Sequence, residues 1–155
     1  MIKLVDISSE LSVLIFAISL MIGLTGYLIT NISPGGFVVP GSLVVSALEG
    51  PGSLITIAAV AVATAAALYG LNRVTILYGK RLFALTLCIS TVLGAVAFLA
   101  LHLTYPGLFP GDALGFLTPG LLVYQARRQG LGMTLRTTGS VTAATATFAL
   151  ILLAV

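Results

Sequence analysis

The sequence is poor in charged side chains and in most of the residue types that catalyse reactions. Lys, Arg, Asp and Glu together make up 7% of the 155 residues, and there is one His, one Cys and no Trp. A typical soluble domain carries about 25% charged residues. With a mean hydropathy of +1.19, the chain is too apolar for water to be its main solvent, and it is predicted to be an integral membrane protein.

An active site needs titratable groups that converge, and this sequence offers few. Beyond the first ten residues the only acids are Glu49 and Asp112, and the sequence shows no metal-ligand cluster, nucleophile elbow or phosphate-binding loop. We therefore predict that the chain is not an enzyme and holds no metal or cofactor of its own. His102 is interpreted as an interfacial side chain and Cys88 as a small buried one.

Long uncharged stretches dominate the sequence. Four of them contain no Asp, Glu, Lys or Arg: residues 11–30, 53–72, 82–101 and 137–155. Each is long enough to cross a hydrocarbon core of roughly 30 Å as a helix of about 20 residues. Asp6 and Glu10 precede the first stretch, unlike the basic start of a secretory signal, so we expect this stretch to remain as a membrane helix. Basic residues in such a chain indicate orientation rather than nucleic-acid binding.

Two segments rich in Gly and Pro lie between the long stretches and resemble each other. Residues 36–44 and 115–123 share Gly, Phe, Pro, Gly, Leu and Val in register, 79 positions apart. After a one-residue shift, small residues four apart recur in the helices that follow: Ala59, Ala63 and Ala67 against Gly139, Ala143 and Thr147. This spacing is typical of a helix-packing seam in lipid. The sequence predicts a duplication, with repeats at about 11–72 and 82–155 of a single transmembrane domain, 1–155.

Each repeat is predicted to be a long helix, a short helix broken by Pro and Gly, and a second long helix. The predicted starts and stops of the short helices are Pro40 and Gly50 in the first repeat, and Pro119 and Gly130 in the second, with Thr118 as an N-cap. Residues 35–39 and 115–118 are expected to be extended. Short helices that start at the two prolines would direct their positive dipole ends inward, which favours carboxylates.

The basic residues distinguish two topologies, because Lys and Arg concentrate in cytoplasmic loops. If the broken elements are re-entrant, the clusters at 73–81 and 127–136 fall on opposite membrane faces. If each broken element crosses, both clusters fall on one face. The second arrangement follows the rule and predicts six crossings, inverted repeats and both termini outside the cytoplasm. The fold class is thus all-α, with four long transmembrane helices plus two broken elements, although the sequence leaves the re-entrant alternative open.

Five blocks of sequence, in order along the chain, resemble one known family. They are residues 31–41, 76–84, 119–122, 128–131 and 137–138. The family is PgsC/CapC, the small membrane subunit of bacterial poly-γ-glutamate synthase, which makes a capsule or secreted polymer. The resemblance covers nearly the whole chain from about residue 20, and residues 105–113 show no match.

The resemblance implies a non-catalytic, multi-pass subunit of a synthesis and export complex in the bacterial cell membrane. Its expected partners are a cytosolic ATP-dependent amide ligase similar to Mur ligases, which would hold ATP and metal, an extracellular accessory subunit and membrane lipid; homo-oligomerisation stays open. The residues expected to dock the ligase are Arg73, Tyr78, Lys80, Arg81 and Phe83. Those expected to bind or guide the anionic polymer are Arg127, Arg128, Arg136, Pro40, Gly41, Pro119 and Gly120. The alternative function is an independent inverted-repeat anion transporter or channel, suggested by the duplicated broken helices.

Overall fold

The computed structural model describes residues 9–73, 76, 78–102 and 114–154, and in this part of the chain the regular structure is entirely helical. The helices are α1 (Ser9–Thr30), α2 (Val39–Glu49), α3 (Pro51–Leu71), α4 (Gly79–His102), α5 (Leu114–Gln129) and α6 (Leu131–Ala154). The predicted all-α fold is confirmed. Lys3, Asp6 and the whole Tyr105 to Ala113 segment, which includes Asp112, lie outside the described residues, as does the side chain of His102.

Three helices are long and apolar enough to cross a membrane, over Leu11–Thr30, Pro51–Leu71 and Gly79–Ala100. The fourth predicted membrane stretch lies in α6, which has 24 residues but includes six threonines and Arg136. Several threonines pair with the backbone of their own helix: the Thr134 hydroxyl donates to the Gly130 carbonyl (3.0 Å) and the Thr145 hydroxyl to the Val141 carbonyl (2.9 Å). Such bonds satisfy a hydroxyl without water, so a threonine-rich helix can lie beside lipid.

The short helices α2 and α5 pack in the middle of the bundle and run antiparallel. The Ser42 hydroxyl of α2 bonds the Thr118 hydroxyl of α5 at 2.7 Å, whereas Ser33, which precedes α2, accepts a bond from Gln125, further along α5. Helix α1 is antiparallel to α2, because Ser19 lies against Gly41 while the earlier Ile15 packs with Val45.

Helix directions also alternate in the second half. The Phe83 ring contacts Tyr124, and Gly94, further along α4, lies against Phe116, earlier in α5. Helices α1, α2 and α3 therefore point opposite to α4, α5 and α6 in turn. This is the arrangement that six crossings and an inverted repeat require, and the orientation in the membrane stays a prediction.

Contacts in the first half have counterparts in the second. A Cβ on Gly41 would lie 3.1 Å from Ser19 Cβ, and one on Gly120 would lie 2.8 Å from Ser90 Cβ. The glycines are 79 positions apart and the serines 71. The same two offsets relate two edge-to-face aromatic pairs: Tyr27 with Phe37, at 5.6 Å between centroids, and Phe98 with Phe116, at 6.0 Å. These paired contacts are what a duplication would produce, and the duplication itself stays a prediction.

The short helices begin differently from each other. In the first half the chain turns through Gly35 (φ +66°) and Gly36 (φ +101°), and Pro40 lies in the first turn of α2, as predicted. In the second half the prediction was wrong: residues 115–118 are helical rather than extended, so Thr118 is not an N-cap and Pro119 lies inside α5. The prediction for residues 35–39 was also wrong, because this segment is a turn that leads into the helix. Gly50 and Gly130, both with positive φ, end α2 and α5 as predicted.

The predicted packing seam of small residues faces outward. Ala59, Ala63 and Ala67 are exposed, and so are Gly139, Ala143 and Thr147. Within this chain the seam prediction was therefore wrong, as was the prediction that Cys88 is buried, because its side chain is exposed. The buried residues of α6 that the structure describes are Thr134, Thr138, Val141, Thr145 and Ala149. Each lies 81 positions after a buried residue of α3, namely Ser53, Ile57, Val60, Thr64 and Leu68, whereas Gly52, Thr56 and Ala61 of α3 are buried without such a counterpart. Mostly larger side chains thus make the contact, and five pairs of buried positions in the two helices are 81 rather than 80 residues apart.

Candidate functional site

A cavity of about 530 Å³ opens at the end of the bundle where α3 leads into α4 and where α5 ends. We refer to it as the basic cavity and to this end as the basic end. Its lining residues are Asn72, Ile76, Tyr78, Gly79, Leu82, Tyr124, Arg127 and Arg128. The volume lies within the range of about 300–1,000 Å³ that is usual for small-ligand sites.

The segment between α3 and α4 forms one wall of the basic cavity. Helix α3 ends at Leu71, and α4 begins at Gly79, whose φ of +59° suits a residue without Cβ. Ile76 and Tyr78 project from this segment and are 82% and 80% exposed. Large apolar side chains so exposed beside charged ones are typical of a contact surface.

The last turns of α5 form the opposite wall. Tyr124 and Arg127 are three residues apart and therefore lie on the same side of the helix. The Phe83 ring packs edge-to-face against Tyr124, with centroids 5.0 Å apart, which fixes the tyrosine at the cavity wall. Arg127 and Arg128 are exposed in the last turn, where positive charge stabilises the negative end of a helix dipole.

The two arginines have no acidic partner among the described residues. The chain has four acids, and the side chains of three of them, Asp6, Glu10 and Asp112, are outside the described part. Glu49 ends α2, which runs away from the basic end. The basic cavity therefore combines two uncompensated guanidinium groups with two tyrosines and an amide, all of which can donate hydrogen bonds.

The structure unites part of the two sets of residues that the sequence analysis kept apart. Tyr78, predicted to dock a partner, lines the same cavity as Arg127 and Arg128, predicted to guide a polymer. Lys80 and Arg81 are exposed in the first turn of α4, and Arg136 is exposed on α6. Arg73 instead lies over the ring of Tyr69, 5.1 Å from its centroid, and its Nη2 is 3.4 Å from the tyrosine hydroxyl.

The remaining four predicted residues lie in the centre of the bundle, away from the basic cavity. Pro40 and Pro119 are fully buried side chains. Gly41 and Gly120 are the points where the short helices approach α1 and α4 most closely. Packing alone accounts for the residue types at these positions, and their predicted role in polymer binding stays a prediction. Because α5 begins at Leu114, its positive dipole end is not at Pro119.

Sequence reasoning missed several polar residues of α5. The Gln125 side chain donates to the Ser33 hydroxyl at 3.1 Å. In the orientation that pairs both of its polar atoms, the Gln129 amide accepts from the Ser33 N–H (3.2 Å) and donates to the Ser33 carbonyl (3.3 Å). Tyr124 was also missed. The spacing in the sequence could have indicated the two glutamines, because Gln125 and Gln129 are four residues apart and lie on one helical face. Arg127 and Arg128 lie between them in the sequence.

Comparisons with known proteins agree on one family. The family of capsule biosynthesis CapC proteins matches residues 18–135 of the chain. A capsule biosynthesis protein CapC of Bacillus anthracis is 35% identical over 130 residues, covering 78% of this chain and 84% of that protein. A PGA biosynthesis protein CapC of Bacillus subtilis (strain 168) is 33% identical over 115 residues, covering 70% of this chain and 73% of that protein. No solved structure matches.

Proposed function

The chain belongs to the CapC family of capsule biosynthesis proteins, and from this we propose that it is a membrane subunit of a complex that makes and exports poly-γ-glutamate. In this proposal a cytosolic ATP-dependent ligase holds ATP and metal and forms the amide bonds. The present chain anchors that ligase at the membrane and assists passage of the anionic product to an extracellular accessory subunit.

The basic end carries this proposal. Two segments that are about fifty residues apart in sequence, around Tyr78 and Arg127, line one cavity. Cationic residues at one end of a membrane bundle favour a cytoplasmic location for that end. A cytosolic ligase and its polyanionic product would both meet this surface first. The helix directions agree with the predicted topology. Helix α1 runs toward the basic end and α6 runs away from it, so a cytoplasmic basic end would leave both chain termini outside the cytoplasm.

Exposed residues of the α3–α4 segment support docking of a protein partner. Ile76 and Tyr78 offer apolar and aromatic surface, and Lys80 and Arg81 follow directly. Aromatic and arginine side chains are enriched among the residues that dominate protein–protein binding energy. We propose that the ligase covers this segment.

The packing between α2 and α5 favours a subunit of a larger assembly over an independent transporter. Side chains of both helices are buried at this contact: Val39 of α2 has no exposed surface, and Thr118 of α5 is 1% exposed. The hydroxyl groups of Ser42 and Thr118 form a hydrogen bond between the two helices. A polymer route through the middle of this contact would have to separate these side chains. We therefore propose that the route runs along the outer surface of the bundle, where other subunits or further copies complete it.

The proposal is tested by replacing residues at the basic end and scoring two quantities separately. Tyr78→Ala should reduce co-purification of the ligase by about tenfold, the effect of losing a docking residue worth more than about 1 kcal/mol. Polymer output should fall with it. Tyr69→Ala is the matched control, because Tyr69 is also an exposed tyrosine but contacts Arg73 of its own chain and does not line the cavity. A second variant combines Lys80→Gln with Arg81→Gln. If neither this double variant nor Tyr78→Ala lowers ligase recovery or polymer output, the proposal that the ligase docks at this segment is wrong.

A further inference from the structure

We propose that the basic cavity binds free carboxylates on two different residues of the γ-glutamyl chain, one near each of Arg127 and Arg128. This deepens the proposed function and rests on it for the identity of the polymer. The juxtaposition that carries it is a water-exposed cavity in which two adjacent guanidinium groups face donors from another segment of the chain.

Charge selects the class of ligand. Arginine stays protonated at any physiological pH, and its planar group pairs with carboxylates through parallel hydrogen bonds. Neither Arg127 nor Arg128 has an acidic partner within the described chain, so the cavity presents two charges that an anion can neutralise. The Asn72 amide and the hydroxyls of Tyr78 and Tyr124 add neutral donors around them.

Helix geometry indicates two separate carboxylates. Consecutive residues of an α-helix point about 100° apart around its axis. Arg127 and Arg128 therefore leave the helix in different directions, and each can pair with a carboxylate of its own. A chain that carries one free carboxylate per residue can meet both at once, and its second contact then gains from the first as a linked event.

The remaining walls suit the methylene groups between the carboxylates. Leu82 and Ile76 provide apolar surface and Gly79 leaves room beside them. At about 530 Å³ the cavity holds a short segment rather than a long polymer. Because the arginines are exposed, attraction is screened by salt and binding is reversible. Reversible binding of a short segment is what a chain in transit requires.

The experiment measures binding to the purified, intact protein in neutral detergent. The probes are free glutamate, the γ-linked glutamate dimer and longer γ-linked oligomers, each at low and high salt. We expect the dimer and longer oligomers to bind at least about tenfold more tightly than free glutamate, and high salt to weaken them. Arg127→Gln and Arg128→Gln should each reduce oligomer binding about tenfold. Arg73→Gln removes one charge from a guanidinium group that lies on Tyr69 and does not line the cavity, and it should leave binding within about twofold, the difference that one screened charge makes.

Three results would overturn the inference. Equal affinity for the dimer and for free glutamate, whose α- and γ-carboxylates belong to one residue, would show that carboxylates on two different residues are not required. Equal loss of binding in all three arginine variants would show general attraction rather than a site. Displacement of bound oligomer by mixed micelles that contain an anionic lipid, but not by those that contain a neutral lipid, together with binding of the anionic lipid alone, would assign the cavity to a lipid head group.

Failure of this inference and failure of the proposed function are distinguishable. If oligomers do not bind while the ligase still co-purifies in a Tyr78-dependent way, the cavity proposal falls and the subunit role stands. If oligomers bind as expected but the chain recovers no ligase, the reverse holds. Thermal unfolding of each variant in the same detergent shows whether it is folded.

Discussion

The two halves of the molecule use the same contacts but begin their short helices differently. In both halves a glycine of the short helix packs on a serine of the preceding long helix. Yet α2 starts after a turn with two left-handed glycines, whereas the equivalent residues of α5 are already helical from Leu114 onward. The two serines differ in their hydrogen bonding: the Ser90 hydroxyl donates to the Phe116 carbonyl, whereas the buried Ser19 hydroxyl has no partner among the described residues.

Two neighbouring positions explain most of the difference. The first half has Gly35 where the second has Leu114, and Pro34 stands where the second has Ala113. Leucine and alanine are good helix formers, whereas glycine costs about 1 kcal/mol in a helix and proline about 3. A shared Gly-Phe pair is therefore insufficient to specify a break. The residues just before it decide whether the helix continues.

The largest effect should come from removing the left-handed conformation of the first half. Gly35→Ala adds a side chain at φ +66°, and its Cβ would lie 2.7 Å from the Thr138 hydroxyl oxygen. Backbone strain and overpacking together should cost about 2–4 kcal/mol. The measurement is the unfolding midpoint of the purified protein in detergent.

The control for this change is Gly26→Ala, because Gly26 lies in α1 and a Cβ added there would meet no neighbouring group within 4 Å. It should be neutral or stabilising by up to about 1 kcal/mol, the helix-propensity difference. Equal destabilisation by Gly35→Ala and Gly26→Ala would mean that the turn in the first half is not constrained as described.

A smaller effect should separate the two close helix approaches. A Cβ on Gly120 would lie 2.8 Å from Ser90 Cβ, which moves only with the backbone of α4. A Cβ on Gly41 meets Phe16 Cδ1 at 2.8 Å instead, and that ring can rotate away. Gly120→Ala should therefore cost about 1–3 kcal/mol and Gly41→Ala clearly less. Thermal unfolding of the pair decides, and a larger loss for Gly41→Ala would contradict this account.

The smallest effect concerns the serines. Ser90→Ala removes a hydrogen bond to the Phe116 carbonyl of 3.2 Å, which should cost about 1 kcal/mol. Ser19→Ala removes a buried hydroxyl without a partner among the described residues and should be neutral or slightly stabilising. The two changes are chemically identical, so each is the control for the other. Equal costs in unfolding measurements would show that the halves are more alike than the structure indicates.

Much of the helical content was predictable, because uncharged stretches of about 20 residues leave little alternative in a membrane protein. Pro40 and the stops at Gly50 and Gly130 were predictable from local backbone chemistry. The start of α5 was predicted wrongly, because the prediction relied on similarity to the first half and gave too little weight to Leu114, a good helix former. The outward face of Ala59 was also missed, since small residues at helical spacing do not reveal which side of a helix the neighbours occupy.

The candidate site was predictable in its parts and not in its assembly. Tyr78, Arg127 and Arg128 were predicted to be functional from charge and from family resemblance, and that role stays a prediction. Their presence in one cavity depends on the end of α3 lying beside the end of α5, and this follows from packing between the halves. Asn72 and Tyr124 carry no signal in the sequence that separates them from ordinary surface residues.

The anchoring of the first-half turn by the second half has a consequence for how the chain is made. The partners of Ser33 are Gln125 and Gln129, and the neighbours of Gly35 include Leu122 and Thr138. A ribosome completes α1, α2 and α3 long before any of these residues exists. The first three helices must therefore enter the membrane with their turn unfinished, and they reach their final arrangement only after translation has passed residue 138. A gene truncated between the repeats would yield an inserted but immature half, which quality-control proteases can recognise.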